Sequence, residues 1–325
     1  MLMFMNTAST ILAYLGEHPD TYVSGQTLAD ELKISRSAVW KAVEHLRDEG
    51  HLIDAITNKG YCLMRTSELL DKKKLELLLP FLPIHLFDTL DSTNSYAKQL
   101  GNEAPALVLA SSQSGGRGRL GRTFVSPKGG IYLSLALHPT CKMEDAPLIT
   151  SAASVAVAEA IEEVCSLSCG IKWVNDLFLG NKKVCGILTE GVLDVETGSL
   201  SSLVVGIGIN FATAQKAFES SVRNLVTSLY DGQENIPDHV DASVLVSSVV
   251  KKLLAYHETL SDHSFLPEYR RRSIVVGKQV MVIQQRKQEQ ALVLGIDDQA
   301  HLQVRFKDGR EETLFSGEIS IRLEV

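Results

Sequence analysis

Cysteine is scarce in this chain and poorly spaced for chemistry. Five occur in 325 residues, Cys62, Cys141, Cys165, Cys169 and Cys185, an odd number without a disulfide framework or a Cys-x-x-Cys metal site. The step from Cys165 to Cys169 matches one helical turn, but no His or further Cys joins them nearby, so both read as buried packing. This usage excludes a disulfide scaffold and a zinc site, and it predicts a reducing, cytoplasmic setting. Long apolar runs are also missing. No stretch reaches 18 residues, and the N-terminal "MLMFMNTASTILAYL" has neither Lys nor Arg before its apolar run nor a cleavage site. No export, anchor or membrane partner is therefore expected. Positive charge is in short supply, with 32 Lys+Arg against 39 Asp+Glu and a net charge of -7. That excludes a surface made for nucleic acid throughout and confines any such contact to a local patch. At 45% hydrophobic and 22% charged, the chain has the makeup of a globular protein of two or three domains.

What is present falls into three blocks, expected as domains at 1–66, 67–273 and 274–325. In the first, "TASTILAYLGEH", "SGQTLADELKI" and "SRSAVWKAVEHLRDEG" read as helices and "HLIDAITNKGYCLM" as a hairpin. Ser35 is a natural N-cap for the third helix, Val39, Val43 and Leu46 form its apolar stripe, and Gly50 stops it. Ser35, Arg36, Ser37, Trp40 and Lys41 are left facing outward. Two helices joined by the tight "LKIS" turn, with a wing turning at "NKG", are the layout of a winged helix-turn-helix, whose second helix enters a major groove. Charge argues the other way, six cations against eight acids, and leaves a helical protein-protein module as the alternative.

The segment "TSELLDKKKLELLLPFLP" reads as a helical connector. Beyond it "PALVLASSQ", "GGIYLSLAL", "GIKWVNDLFL", "KKVCGILTEGVL" and "SLVVGIGINF" read as strands, while "APLITSAASVAVAEAIEEVC" and "DASVLVSSVVKKLLAYHETL" read as helices. A hairpin at "LGNKK" makes much of the sheet antiparallel. From about residue 274, five short alternating strands fit a small SH3-like barrel. The fold class is thus α+β: an N-terminal winged helix-turn-helix, a central mixed sheet with helices, and a C-terminal SH3-like β-barrel.

One stretch concentrates glycine and positive charge. "GGRGRLGR", Gly115 to Arg122, satisfies G-x-G-x-x-G, but a Rossmann turn needs a helix opening at the last glycine, and "RTFVSPKGGIYLSL" supplies another strand. Neither a P-loop nor the H-R-D and D-F-G of kinases is present. What remains is a loop whose amides and guanidinium forks can close over a phosphate, or else a solvated basic turn. Four segments accompany it. "DTLDSTN" sets Asp91, Ser92, Thr93 and Asn94 at a strand end, and "KWVNDL" sets Lys172, Asn175 and Asp176 in an otherwise apolar strand. "KKVCGIL" brings Lys183 and Gly186, and "GIGIN" brings Gly206, Gly208 and Asn210.

With these motifs and the late "SGEISIR", the chain resembles, over essentially all its length, the biotin-protein ligases that carry an N-terminal winged helix and also repress the biotin operon. The resemblance implies a two-step reaction: biotin and ATP give biotinyl-5′-AMP, and a lysine of biotin carboxyl carrier protein then accepts the biotin. It implies Lys183 and Arg117 as catalytic cations. Biotin would be held by Ser92, Thr93, Asn94, Gln113, Gly116, Arg117, Gly118, Lys183, Gly186 and Gly206. The adenylate would meet Arg117, Arg119, Arg122, Phe124, Lys172, Asn175, Asp176, Lys183 and Asn210, with Mg2+ on Asp176 and adenine against Asn210. Operator DNA and a homodimer formed on adenylate binding complete the implied partners. The chain departs from the family where Val174 replaces the proline of Lys-Trp-Pro-Asn-Asp. Leu120 stands where a well-known repressor of the family has arginine, and Phe124 and Leu225 stand where it has tryptophan. A lipoate-protein ligase, and a ligand-sensing transcription factor without catalysis, are the two alternatives.

Overall fold

The computed structural model describes residues 7–18, 21–48, 51–65, 68–101, 104–139, 148–193, 200–284, 287–315 and 318–321. Cys141 and Gly50 lie outside them. The chain divides into two compact units, 1–69 and 70–325.

In the first unit, α1 (Thr7–Gly16), α2 (Gly25–Leu32) and α3 (Arg36–Asp48) precede the hairpin of β1 (Leu52–Ile56) and β2 (Gly60–Arg65). Ser24 caps α2 by accepting from Thr27 N, and Lys33 ends it in the left-handed region. Two residues on, Ser35 Oγ accepts from Ala38 N at 3.2 Å, so the two helices are separated by a turn that satisfies its own ends. Val39, Val43 and Leu46 are buried with Ile11, Leu15, Leu28 and Ile53. Full burial of each such side chain contributes roughly 1.5–3 kcal/mol. The wing turns into β2 at Gly60, where glycine is required because a Cβ would lie 2.1 Å from Val23 O and the φ is +114°.

The second unit is built on a seven-stranded sheet. Its elements are α4 (Lys72–Leu78), β3 (Ile84–Leu90), α5 (Thr93–Gln99), β4 (Ala106–Gln113), β5 (Ile131–Leu137), α6 (Leu148–Cys165), β6 (Gly170–Lys172), β7 (Asp176–Leu179), β8 (Lys182–Leu193) and β9 (Leu200–Ile209). The strand order is β3-β4-β5-β9-β8-β7-β6, and β3–β4 is its parallel pair. The alanine-rich α6 is buried on nearly every side and packs against the sheet and α7 (Ala242–Glu258), with α8 (Leu266–Arg272) following. The connector helix α4 belongs to this unit: Asp71 caps it, Asp71 N donates to Ser243 Oγ at 3.0 Å, and Lys74 pairs with Asp241 at 2.8 Å.

Two expectations need correcting. "GIKWVNDLFL" is not one strand, because residues 173–175 turn the chain and β6 and β7 pair antiparallel as a hairpin. Nor do Cys165 and Cys169 share a helix. Ser166, at a φ of +55°, follows the end of α6, although both thiols are buried as expected.

The last five strands are β10 (Gln279–Gln284), β11 (Lys287–Ile296), β12 (Leu302–Phe306), β13 (Glu311–Leu314) and β14 (Glu318–Ile321). They form an antiparallel sheet in the order β13-β12-β11-β10-β14. Trp173 Nε1 donates to Ala300 O at 2.9 Å and Arg270 Nε to Ile296 O at 2.9 Å, which ties this sheet to the turn between β6 and β7 and to α8. Among the described residues no helix is long and apolar enough to cross a membrane.

His257, buried near the end of α7, carries a pH dependence. Burial pushes its imidazole below the ordinary value of 6.5, against a weaker upward pull from Glu258. The unfolded chain therefore takes up this proton first as pH falls, so the stabilisation is full above about 6.5 and is lost progressively below it. Thermal unfolding at pH 7.5 and 5.5 should show a smaller drop for His257→Gln than for the parent; equal drops would remove His257 from the pH response.

Candidate functional site

A cleft of about 160 Å3 opens over β8 and β9. Its floor is bare backbone: Gly186 pairs with Gly208 across the two strands, and Gly206 faces Ser134 of β5. A Cβ at Gly206 would lie 2.0 Å from Asn94 Oδ1, and one at Gly208 2.4 Å from Phe124 Cε1. Contacts that close do not occur, so Asn94 and Phe124 can lie on the sheet only because these strands lack side chains here.

One end of the cleft is uncharged and densely hydrogen-bonded. Ser92 caps α5 by accepting from Ser95 N. Thr93 N donates to Gln113 Oε1 at 2.8 Å, Thr93 Oγ1 lies 3.1 Å from the same oxygen, and Gln113 Nε2 donates to Ser126 Oγ at 2.9 Å. Buried Ser134 places its hydroxyl 2.6 Å from Asn94 Oδ1 and 2.8 Å from Thr93 Oγ1. Such a wall of neutral donors and acceptors suits a polar, uncharged ring.

The other end is cationic. The loop 115–122 folds as a hairpin, with Arg117 bridged to Thr123, Gly118 N donating to Arg122 O at 2.7 Å, and Phe124 N donating to Gly116 O at 2.9 Å. Leu120 sits at its tip with a φ of +57° and is 76% exposed. Across the cleft, Arg119 donates to Asn175 Oδ1 at 3.1 Å, and Asn175 Nδ2 donates to Ile187 O at 2.8 Å. Lys183 Nζ pairs with Asp176 Oδ1 at 2.7 Å and lies 5.7 Å above the Phe124 ring. The Lys183 backbone is gripped as well, its N–H donating to Leu225 O and its carbonyl accepting from Thr227 N.

The cleft brings together Ser92, Thr93, Asn94, Gln113, Arg117, Gly118, Arg119, Arg122, Phe124, Lys172, Asn175, Asp176, Lys183, Gly186 and Gly206. Asn210 does not line it. Its amide is buried and donates to Thr227 O at 3.1 Å, which holds the 225–229 segment against β8, so the expected adenine contact does not follow from its position. Gly116 lies behind the wall: a Cβ there would be 2.3 Å from Phe124 O, whereas one at Gly118 meets nothing nearer than 3.5 Å. Packing within the protein therefore demands glycine at Gly116 and leaves room for a methyl at Gly118. Trp173, Ile187, Leu188 and Ile319 complete the wall, though no residue type in them signals chemistry. Among the described residues no cluster of three or more His, Cys, Asp or Glu is placed to hold a metal, and Asp176 is the one carboxylate in the cleft wall. In the separate first unit, Ser35, Arg36, Ser37, Trp40 and Lys41 are all exposed on or beside α3.

Residues 86–210 match the model of the biotin/lipoate A/B protein ligase family, and residues 7–62 match a helix-turn-helix domain. The chain is 31% identical, over 92% of its length and 94% of the relative's, to the bifunctional ligase/repressor BirA of Bacillus subtilis. It belongs to the bifunctional ligase/repressor family of biotin-protein ligases. The family member also aligns at 30% identity, over 70% of its length and 98% of the relative's, with the biotin-[acetyl-CoA-carboxylase] ligase of Paracoccus denitrificans. The biotin protein ligase from Aquifex aeolicus, solved in complex with biotin and ATP, superposes with a TM-score of 0.61 at 26% identity. That match covers 74% of this chain and 99% of the other.

The two loop glycines give a local test. Gly116→Ala forces its methyl against backbone and should cost about 1–3 kcal/mol, a melting temperature lower by several degrees, while Gly118→Ala should leave the melt nearly unchanged. Equal losses by calorimetry would contradict the packing described here.

Proposed function

We propose that this member of the family joins biotin to ATP as biotinyl-5′-AMP, passes the biotin to a lysine of biotin carboxyl carrier protein, and represses a biotin operon with the adenylate as corepressor. The observation that carries the reading is one cleft holding both a neutral donor-acceptor wall, Ser92 to Gln113, and a cationic wall with Arg117 and Lys183. Biotin offers the same two faces, an uncharged ureido ring and a carboxylate.

In the first step a biotin carboxylate oxygen bonds to the α-phosphorus of ATP and the bond to the leaving pyrophosphate breaks. In the second, the carrier lysine amine attacks the acyl carbon, the bond to AMP breaks, and the amine loses a proton as the amide forms. Arg117 pairs first with the carboxylate and then with the acyl phosphate. Lys183, screened from one side by Phe124, sits where negative charge gathers on the transferring phosphoryl group. Its charge is balanced by Asp176, and in the reaction Lys183 would face the phosphate as a second anion. Arg119 and Arg122 close the loop over the nucleotide.

Asp176 fits Mg2+, which commonly takes one or two carboxylates and completes its shell with phosphate oxygens and water. Bound there, the ion would neutralise charge on the phosphates.

For the DNA role, α3 would present Arg36, Ser37, Trp40 and Lys41 to a major groove, with Ser35 at its start. A homodimer strengthened by the adenylate would place two such helices on one palindromic operator in the cytoplasm.

Labelled biotin with ATP should yield labelled biotinyl-5′-AMP and then labelled carrier. Lys183→Met should slow pyrophosphate release on the order of 10²-fold; full activity in that variant would exclude Lys183 from the chemistry. Arg36→Ala should weaken operator binding in a mobility-shift assay and leave biotinylation intact, and a parallel loss of both would make α3 a structural element.

A further inference from the structure

Behind the neutral end of the cleft, β8 carries Glu190, which does not line the cavity. Its Oε2 accepts from Asn94 Nδ2 at 2.8 Å, and its Oε1 from Lys98 Nζ at 2.5 Å. Burial pushes the Glu190 carboxyl up, yet the bonds from Lys98 and Asn94 and the charges of Lys98 and Arg117 hold it below the usual carboxylate value. It is therefore an acceptor at both oxygens and donates nothing.

That fixed polarity propagates. A side-chain amide beside a carboxylate must present its NH2, so Asn94 turns Oδ1 the other way, onto Ser134 at 2.6 Å. Leu188 O, 3.3 Å from Asn94 Nδ2, favours the same orientation more weakly. A serine hydroxyl has one proton, and giving it to Asn94 leaves Ser134 only lone pairs for Thr93 Oγ1 at 2.8 Å. Thr93 must then direct its own proton to Ser134, because giving it to Gln113 Oε1, 3.1 Å away, would leave lone pairs facing each other across 2.8 Å. Thr93 Oγ1 then has a lone pair left for the cleft. Gln113 Oε1 is likewise held as an acceptor, because Gln113 Nε2 donates to Ser126 Oγ, whose proton goes to Phe124 O at 2.8 Å.

We propose that Glu190 is a positioning residue that sets the direction of every hydrogen bond from Asn94 to Thr93, so that this wall offers acceptors to the ring N–H groups of biotin. The inference rests on the biotin-ligase reading. Glu190 touches no substrate; it acts through Asn94 and Ser134. Replacing its carboxylate by an amide of the same shape allows Asn94 to flip and Thr93 to turn its proton toward the cleft, where it would oppose a ring N–H.

The experiment is steady-state pyrophosphate release by the full chain, with biotin and ATP varied separately. E190Q should raise KM for biotin about tenfold, the effect of one misdirected hydrogen bond, and leave KM for ATP and kcat within about twofold. A merely structural role would lower active enzyme and kcat, or shift both KM values together, and either result overturns the proposal. So does an unchanged KM for biotin in an active E190Q. Should E190Q fail to fold, S134A breaks the same relay one link further on and should give the same biotin-selective rise; an unchanged biotin KM there also overturns the proposal. A parent chain that releases no pyrophosphate with biotin and ATP would sink the biotin reading itself, a separate outcome.

Discussion

A side chain at Gly206 or Gly208 has no room on the cleft-facing surface of β9, one at Gly186 on β8 would crowd Lys183 and Phe124 at 3.0 Å, and the site is arranged around that bare backbone. Fill Gly206 and the Asn94 amide loses its place 2.0 Å from the added carbon; Thr93 then loses the relay that orients it. Fill Gly208 and Phe124 is displaced, along with the ring over which Lys183 is held. Glycine weakens a strand by leaving nothing to pack. Here the weakness is offset because β8 and β9 are central in a seven-stranded sheet whose other face is covered by the buried α6.

The division of the cleft into a neutral and a charged end follows from its topology. The neutral end comes from strand ends and a helix cap, β3 into α5 and the end of β4, where short side chains satisfy orphan backbone groups and one another. The charged end is assembled from a loop and a hairpin turn, which leave long side chains room to move. The 173–175 turn is the exception among loops, because it is pinned from several sides. Tyr269 OH donates to Val174 O at 3.0 Å, Trp173 reaches Ala300 in the small sheet, and Asn175 bonds across to Ile187. Valine in the proline's place restores an N–H, yet these contacts fix the turn from outside, so Asp176 still meets Lys183.

Much of this was legible in the sequence because the informative residues are rare in their settings. Arginines among glycines, a polar cluster at a strand end and a lysine just past a hairpin each break an apolar pattern, and the cleft collects nearly all of them. The layer order and the winged first unit were equally readable from the apolar periods of two and 3.6. What failed did so for stated reasons. "GIKWVNDLFL" reads as a strand because six of its ten residues are apolar, and the tertiary contacts that turn it come from residues 269 and 300. Asn210 has the look of a ligand group, but it lies outside the cleft wall, and one N–H of its buried amide goes to Thr227 O. Ile187, Leu188 and Ile319 resemble any core residue, and nothing local marks Glu190 as the far end of a hydrogen-bond chain that starts at Thr93.

The scarcity of positive charge bears on how the two proposed roles fit together. Of the exposed residues assigned to DNA in the first unit, only Arg36 and Lys41 carry positive charge, within a segment that has more acids than bases. Affinity for DNA grows with the number of phosphates neutralised, so one copy so poorly charged holds an operator weakly. Two copies joined in a dimer bind with the second contact made intramolecular, which multiplies affinity without a new contact in either. On the proposal of a homodimer, a single copy would leave the operator unrepressed because its charge is low, and whatever favours pairing would set occupancy.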